Sequence, residues 1–167
     1  MSAMMNAMAA EHSYALDVAW TGNRGTGTSG YRDYDRDHTV TAPGKPPLRG
    51  SADPAFRGEA DRWNPEELLV AALSQCHMLW YLALAAAESV VVIGYTDQPT
   101  GRMQLNPDGS GQFTEVTLAP KVLVADPSMV AAAERLHADA HDKCFIARSV
   151  NFPVEHRADI TVAGAAR

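Results

Sequence analysis

The segment RWNPEELLVAALSQCHMLWYLALAAA, residues 62–87, constrains the fold more than any other part of this sequence. Asn64 is a favourable N-cap, Pro65 suits the first helical position, and Glu66 and Glu67 place negative charge at the positive end of a helix. The residues that follow are apolar on almost every side of a helical projection. The sequence therefore predicts a long, central and buried helix that starts at Pro65.

Length and charge restrict the kinds of protein this chain can be. Its 167 residues, 46% hydrophobic and 20% charged, suit a single domain over 13–167, with 1–12 as a frayed tail. A net charge of −6 disfavours nucleic acid and anionic membranes as partners. Ser74, Gln75 and His77 interrupt the apolar segment, so we interpret it as a core helix of a cytoplasmic protein rather than a membrane span.

Strand patterns surround two helices. Alternation predicts strands at 13–20, with one buried face, and at 38–42, followed by a long loop over 43–62. Further strands are predicted at 89–95, 103–105 and 113–124, as an antiparallel meander, and at 154–162. Asp126 can cap a second helix that begins at Pro127 and ends near Cys144. Strands and helices without regular alternation predict the α+β class with a largely antiparallel sheet.

The only two cysteines, Cys76 and Cys144, are 68 positions apart. They can be small buried apolar residues, or they can form a reactive thiol pair. Cys76 lies too far from its helix N-terminus for the dipole to favour a thiolate, so reactivity requires another positive charge. Arg24 in the glycine-rich TGNRGTGT segment can supply one, although most loop arginines are simply solvated.

Three segments resemble the OsmC/Ohr family. The stretch RWNPEELLVAALSQCHMLW resembles its first-cysteine signature, WTGNRGTGTSGY resembles its amino-terminal strand and loop, and DAHDKCFIARSV occupies the place of its second-cysteine helix. The resemblance extends over about residues 13–162. It implies an OsmC-like fold in which two central helices carry the cysteines, and an intertwined homodimer.

The resemblance also implies roles for individual residues. Cys76 is the peroxidatic thiol and Cys144 resolves it into a disulfide, while Arg24 and Glu66 assist. Arg32, Arg36 and Arg62 are rivals for the role of Arg24. The expected substrates are organic hydroperoxides, with hydrogen peroxide poorer, and an external dithiol, for which a lipoyl protein is one candidate, restores the thiols. No cofactor or metal is expected. Phe145 stands where the family usually has proline.

The spacing of Glu66 and Cys76 bears on the homodimer. Ten residues correspond to about 15 Å along one straight helix, which is too far for direct contact. If two copies pack these helices antiparallel about a twofold axis, Glu66 of one copy can approach Cys76 of the other. We therefore expect active sites shared between subunits. Leu79, Trp80 and Leu82 can line an apolar pocket or belong to the core.

Two other functions remain open. His137, His141 and Cys144 share one helical face and, with Cys76 and His77, suggest a metal site, although the adjacent Cys76 and His77 point about 100° apart. Alternatively, the fold serves as a non-catalytic protein that binds a small apolar ligand. The remaining histidines lie in strand or loop context and are expected to have no special role; they are His12, His38 and His156.

Overall fold

The computed structural model describes residues 11–164. Contacts divide the chain into two compact units, Met1–Pro65 and Glu66–Arg167. The single-domain prediction for 13–167 stays a prediction, because this division does not test whether either unit folds alone. Most of the predicted tail lies outside the described residues, and its last two, Glu11 and His12, are exposed.

The first unit is built on a small antiparallel sheet. Its strands follow the order β1 (Asp17–Trp20), β2 (His38–Thr41) and β3 (Leu48–Gly50). The predicted burial of one face of the first strand is wrong, since all four β1 residues are exposed, as is Tyr14 at 91%. Alternation showed only that one face is apolar, and within residues 11–65 no α-helix packs over it.

The predicted loop over 43–62 is also wrong in part. It contains β3 and a 3-10 helix at Pro54–Phe56, where the Asp53 carboxylate accepts the Ala55 backbone N–H at 2.7 Å. Only three residues of β3 pair with β2, in a stretch rich in Pro and Gly. Such a short edge strand has no periodicity to detect in the sequence.

The second unit contains both long helices. Helix α1 spans Pro65–Ala87, so its predicted start is confirmed. Before the second helix, the Asp126 carboxylate accepts the Ser128 N–H at 2.9 Å and caps a 3-10 turn at Pro127–Met129. Helix α2 then spans Val130–Lys143 and ends directly before Cys144, as expected.

Six strands form two sheets in the second unit. One sheet has the order β4 (Val92–Thr96), β7 (Lys121–Val124) and β9 (Asp159–Val162); the other has β5 (Thr100–Leu105), β6 (Gly111–Leu118) and β8 (Val154–His156). The pairs β4–β7 and β5–β6 are antiparallel, whereas β7–β9 and β6–β8 are parallel. The α+β class with antiparallel-rich sheets is therefore confirmed.

The predicted meander is confirmed only for the antiparallel β5–β6 hairpin and is wrong for β4, which pairs with β7 instead. Two of the predicted strands are also broken. The stretch over 113–124 is divided at Ala119 and Pro120, and its two halves enter different sheets. Pro120 has no N–H for a strand ladder, and the Asp97 carboxylate takes the Ala119 N–H at 2.7 Å. The predicted strand over 154–162 divides in the same way into β8 and β9.

Helix α1 buries one stripe rather than its whole surface. Leu73, His77, Tyr81 and Ala85, each four residues after the last, are its buried residues. Tyr81 and Ala85 pack with α2, whereas Leu73 packs with the β5–β6–β8 sheet. The prediction of a helix buried on nearly all sides is therefore wrong for the single chain. By length and composition alone α1 could also cross a membrane, a test that core helices pass as well.

Candidate functional site

The structure brings the two cysteines together. Cys76 lies in the middle of α1 and is half-buried, while Cys144 follows the last residue of α2 and is only 1% exposed. Both are free thiols, and they lie close enough for Cys76 to raise the pKa of the Cys144 thiol. Apolar packing explains the meeting, because Leu73, one turn before Cys76, shares a cluster with Ile146 and Ala147, which follow Cys144.

The surroundings of Cys144 keep its sulfur protonated. Burial first, and then the hydrogen bond with Cys76, raise the pKa of the Cys144 thiol to about 11. Its backbone N–H donates to the His141 carbonyl at 3.1 Å, and its sulfur accepts the Ala147 N–H at 3.4 Å. Cys144 is therefore a protonated thiol at neutral pH.

An aromatic patch adjoins both cysteines. Trp80, one helical turn after Cys76, meets the ring of Phe145 edge-on with centroids 5.5 Å apart. The Lys143 ammonium lies 5.8 Å from the Trp80 ring centroid. Phe145 is 66% exposed, so it presents an aromatic ring directly beside the buried Cys144.

Glu66 lies in the first turn of α1, ten residues before Cys76. Because α1 is continuous, the two are separated by about 15 Å of helical rise within one chain. The Oε2 atom of Glu66 is buried and has no hydrogen-bond partner among the described residues. A buried carboxylate oxygen is normally paired with a hydrogen-bond donor.

Arg24 belongs to the first unit and is held by its own loop. Its Nε donates to the Asp33 carbonyl at 3.2 Å, its guanidinium also donates to the Arg32 carbonyl, and Asp35 forms an ion pair with it at 3.7 Å. The Asn23 side chain accepts the Gly25 and Gly27 N–H groups in the same loop. The loop thus fixes the direction of the Arg24 side chain within its unit.

The rival arginines have different local surroundings. Arg36 lies over the rings of Tyr31 and Tyr34, at 4.4 and 4.1 Å from their centroids. Arg62 forms a largely buried ion pair with Asp37 at 2.8 Å. Arg32 is exposed. Arg36 and Arg62 are therefore engaged in contacts of their own unit.

Four histidines cluster beside the cysteines; sequence reasoning grouped His77, His137 and His141 but missed His156. His77 of α1 and His137 of α2 share a hydrogen bond of 3.0 Å, and His156 of β8 lies 5.5 and 5.8 Å from their ring centroids. The expectation that His156 has no special role stays a prediction. Strand pairing brings its ring to the two helices. Within the described part of the chain, no three His, Cys, Asp or Glu residues are arranged to hold a metal ion.

Comparisons with known proteins agree on one family. A family model described as OsmC-like protein matches residues 58–158. An OsmC-like protein of unknown function from Vibrio cholerae is 32% identical in its solved structure, with a TM-score of 0.79, over 89% of this chain and 99% of that one. No curated protein matches the chain.

More distant solved structures share the fold. An organic hydroperoxide resistance protein from Elizabethkingia anophelis, solved with thiocyanate bound, has 17% identity and a TM-score of 0.64 over 92% of this chain and 99% of that one. The organic hydroperoxide resistance protein OsmC from Legionella pneumophila has 18% identity and a TM-score of 0.63 over 91% and 100%. At these identities the likeness concerns the fold.

Proposed function

The chain belongs to the OsmC-like family, and we propose that it is a peroxidase that reduces organic hydroperoxides with Cys76 and Cys144. The observation that carries this proposal is that two free thiols lie beside each other, Cys76 in α1 and Cys144 directly after α2. A reactive thiol needs a second thiol nearby, which traps its sulfenic acid before further oxidation. The names of the Elizabethkingia and Legionella proteins support the same substrate class.

The reaction balances with the groups at hand. The Cys76 thiolate attacks the terminal peroxide oxygen, the O–O bond breaks, and the alkoxide leaves and takes up a proton as the alcohol. The Cys144 thiol then condenses with the Cys76 sulfenic acid, which forms the disulfide and releases water. An external dithiol reduces this disulfide and becomes oxidised itself. Under this proposal Cys144, protonated while it waits, acts in the second step.

A second copy of the chain completes the proposed site. Large apolar side chains are exposed along the second unit, among them Leu79 at 63%, Val91 at 49% and Ile93 at 53%. The unpaired Oε2 of Glu66 also calls for a donor. We propose a homodimer in which Glu66 of one copy, through an arginine for which Arg24 is the first choice, approaches Cys76 of the other. The cytoplasmic location stays a prediction.

Thiol titration and intact mass test the chemistry directly. Reduced protein receives one equivalent of cumene hydroperoxide, in wild type and in Cys144→Ser. We expect wild type to lose both thiols and about two daltons, since a disulfide replaces two S–H groups. Cys144→Ser should lose one thiol and gain about 16 daltons or a multiple, because nothing resolves the sulfenic acid.

The contrary result is equally clear. If both thiols survive a peroxide excess in correctly folded wild type, the chain is not a two-cysteine peroxidase, and the fold serves ligand binding instead.

The dimer is tested by sedimentation at falling concentration. Peroxide consumption that persists in a demonstrated monomer would contradict the shared site while leaving the cysteine chemistry in place.

A further inference from the structure

The four histidines form a cluster where both helices meet the end of β8. His77 and His137 are each 1% exposed, and their rings are parallel within 5° with centroids 5.3 Å apart. The ring of His156 lies beside both, and the ring of His141 lies 6.0 Å from that of His156. Three elements that are distant in sequence therefore present imidazoles to one another.

The hydrogen bond between His77 Nε2 and His137 Nδ1 requires at least one neutral ring, because two imidazolium ions have only donors to offer. The other two nitrogens, His77 Nδ1 and His137 Nε2, are buried and have no partner among the described residues. In the neutral pair, one of them carries an N–H and the other a lone pair. A proton added to either ring would create a buried charge and a further unpaired donor.

The groups around the pair do not compensate such a charge. On α1, Tyr81 stacks on His137 at 4.1 Å and donates its hydroxyl to the Ala133 carbonyl. Tyr95 of β4 packs against Tyr81. Burial first, and then the Asp97 carboxylate, raise the pKa of Tyr95. On α2, the further titratable group that acts on His77 is His141. No carboxylate contributes to the lowered pKa values of His77, His137 and His156, which come from burial and from other histidines.

We propose that this histidine cluster is an acid-sensitive latch between the two helices that carry the cysteines. Neutral His77 and His137 join α1 to α2 through their hydrogen bond and close packing. In acid, protonation favours conformations in which the pair is separated and hydrated. Because Cys76 adjoins His77 and Cys144 follows α2 directly, opening of the latch also separates the two sulfurs. The latch does not depend on the proposed peroxidase activity.

The direction of the pH effect follows from linkage. Burial, with the neighbouring histidines second, lowers the pKa of His77 to about 3, and likewise that of His137 to about 4, from the ordinary value of 6.5. The open state therefore binds protons first as the pH falls. The stabilising contribution is complete above about pH 6.5 and declines from there toward the folded-state values. Each histidine shifts the opening equilibrium by up to about tenfold per pH unit in that window.

The test compares the pH dependence of unfolding with and without the pair. In His77→Leu/His137→Leu, leucines of similar volume replace both histidines. No buried ring nitrogen is then left without its hydrogen-bond partner. Denaturant unfolding is measured at about pH 7.5 and about pH 5. We expect the wild-type unfolding constant to rise about 10³-fold more than that of the double variant, since two histidines each contribute roughly 30-fold. His12→Gln, which changes an exposed histidine, should match wild type.

A double variant with the same acid sensitivity as wild type would overturn the latch. If that variant does not fold, nitrogen NMR of the wild-type imidazoles decides. Two histidines that remain neutral at about pH 5.5 are the expected result, because both values lie below that pH. Six cationic histidines in the folded protein at that pH would contradict the proposal.

Discussion

The cysteine pair and the histidine latch are adjacent in sequence but differ in their environment. Cys76 precedes His77 on α1, and His141 is one turn before Cys144, yet Cys76 is half-buried and His77 is fully buried. One residue turns a helix by about 100°, so neighbours reach different surroundings. The Cys144 sulfur accepts the Ala147 N–H, whereas the histidine pair keeps two ring nitrogens without a partner among the described residues. Substitutions at the cysteines should therefore alter reactivity alone, whereas opening of the latch in acid should alter both stability and the distance between the sulfurs.

The largest expected effect concerns Cys76. Cys76→Ser should reduce peroxide turnover, measured with cumene hydroperoxide and a dithiol, to the rate without protein, because a hydroxyl at this position cannot form a sulfenic acid. Its thermal stability should stay near that of wild type, since the sulfur is not in the packed core. Substantial turnover by a folded Cys76→Ser protein would assign the reacting thiol elsewhere.

Leu73→Ala tests the packing of α1 against the β5–β6–β8 sheet. Leu73 is completely buried between α1 and the β5–β6–β8 sheet, so its truncation should lower the free energy of unfolding by about 2–5 kcal/mol in denaturant titration. Leu105→Ala, at a half-exposed strand position, is the matched control, with an expected loss below about 1 kcal/mol. Equal losses in both variants would contradict the packing that brings the cysteines together.

Arg24→Ala tests whether Arg24 is the arginine of the proposed site. If its guanidinium stabilises the reacting charge, kcat/KM for cumene hydroperoxide should fall about 10²-fold. Thermal melting serves as a control, because alanine also removes the bonds to the Asp33 and Arg32 carbonyls. Arg32→Ala is measured in parallel. A loss in that variant with none in Arg24→Ala would transfer the role to Arg32.

The smallest expected effect is an absorbance step. As the pH of reduced protein rises, ultraviolet absorbance should show the Cys144 thiolate only near pH 11, and Cys144→Ser should lack this step. The folded pKa lies above the ordinary 9.0, so this thiol contributes stability below about pH 9 that is lost between there and pH 11. Ionisation of Cys144 below pH 9 would contradict the effect of its burial.

The local signals in the sequence predicted much of the helical framework. Asn64, Pro65 and the two glutamates mark the start of α1, and Asp126 marks the turn before α2, because capping depends on a few adjacent residues. The breaks at Ala119–Pro120 and between β8 and β9 were missed. Strand exchange between sheets depends on distant partners, such as the pairing of Leu118 with His156.

The candidate site was predictable to a similar extent. Resemblance to the family pointed to Cys76 and Cys144 as a pair, and the structure places the two thiols beside each other, whereas their roles stay a prediction. The latch was not predicted, because the spacing of His137 and His141 indicates only a shared helical face. The position of His156 beside them follows from the parallel pairing of β6 with β8, which no local pattern encodes.

The central claim is that a hydroperoxide converts the neighbouring Cys76 and Cys144 thiols into a disulfide. Wild-type protein is treated with one equivalent of cumene hydroperoxide, its remaining thiols are blocked, and it is digested without reduction for peptide mass mapping. The account predicts that the peptide with Cys76 is recovered disulfide-linked to the peptide with Cys144. Separate, blocked peptides with both thiols intact would contradict it.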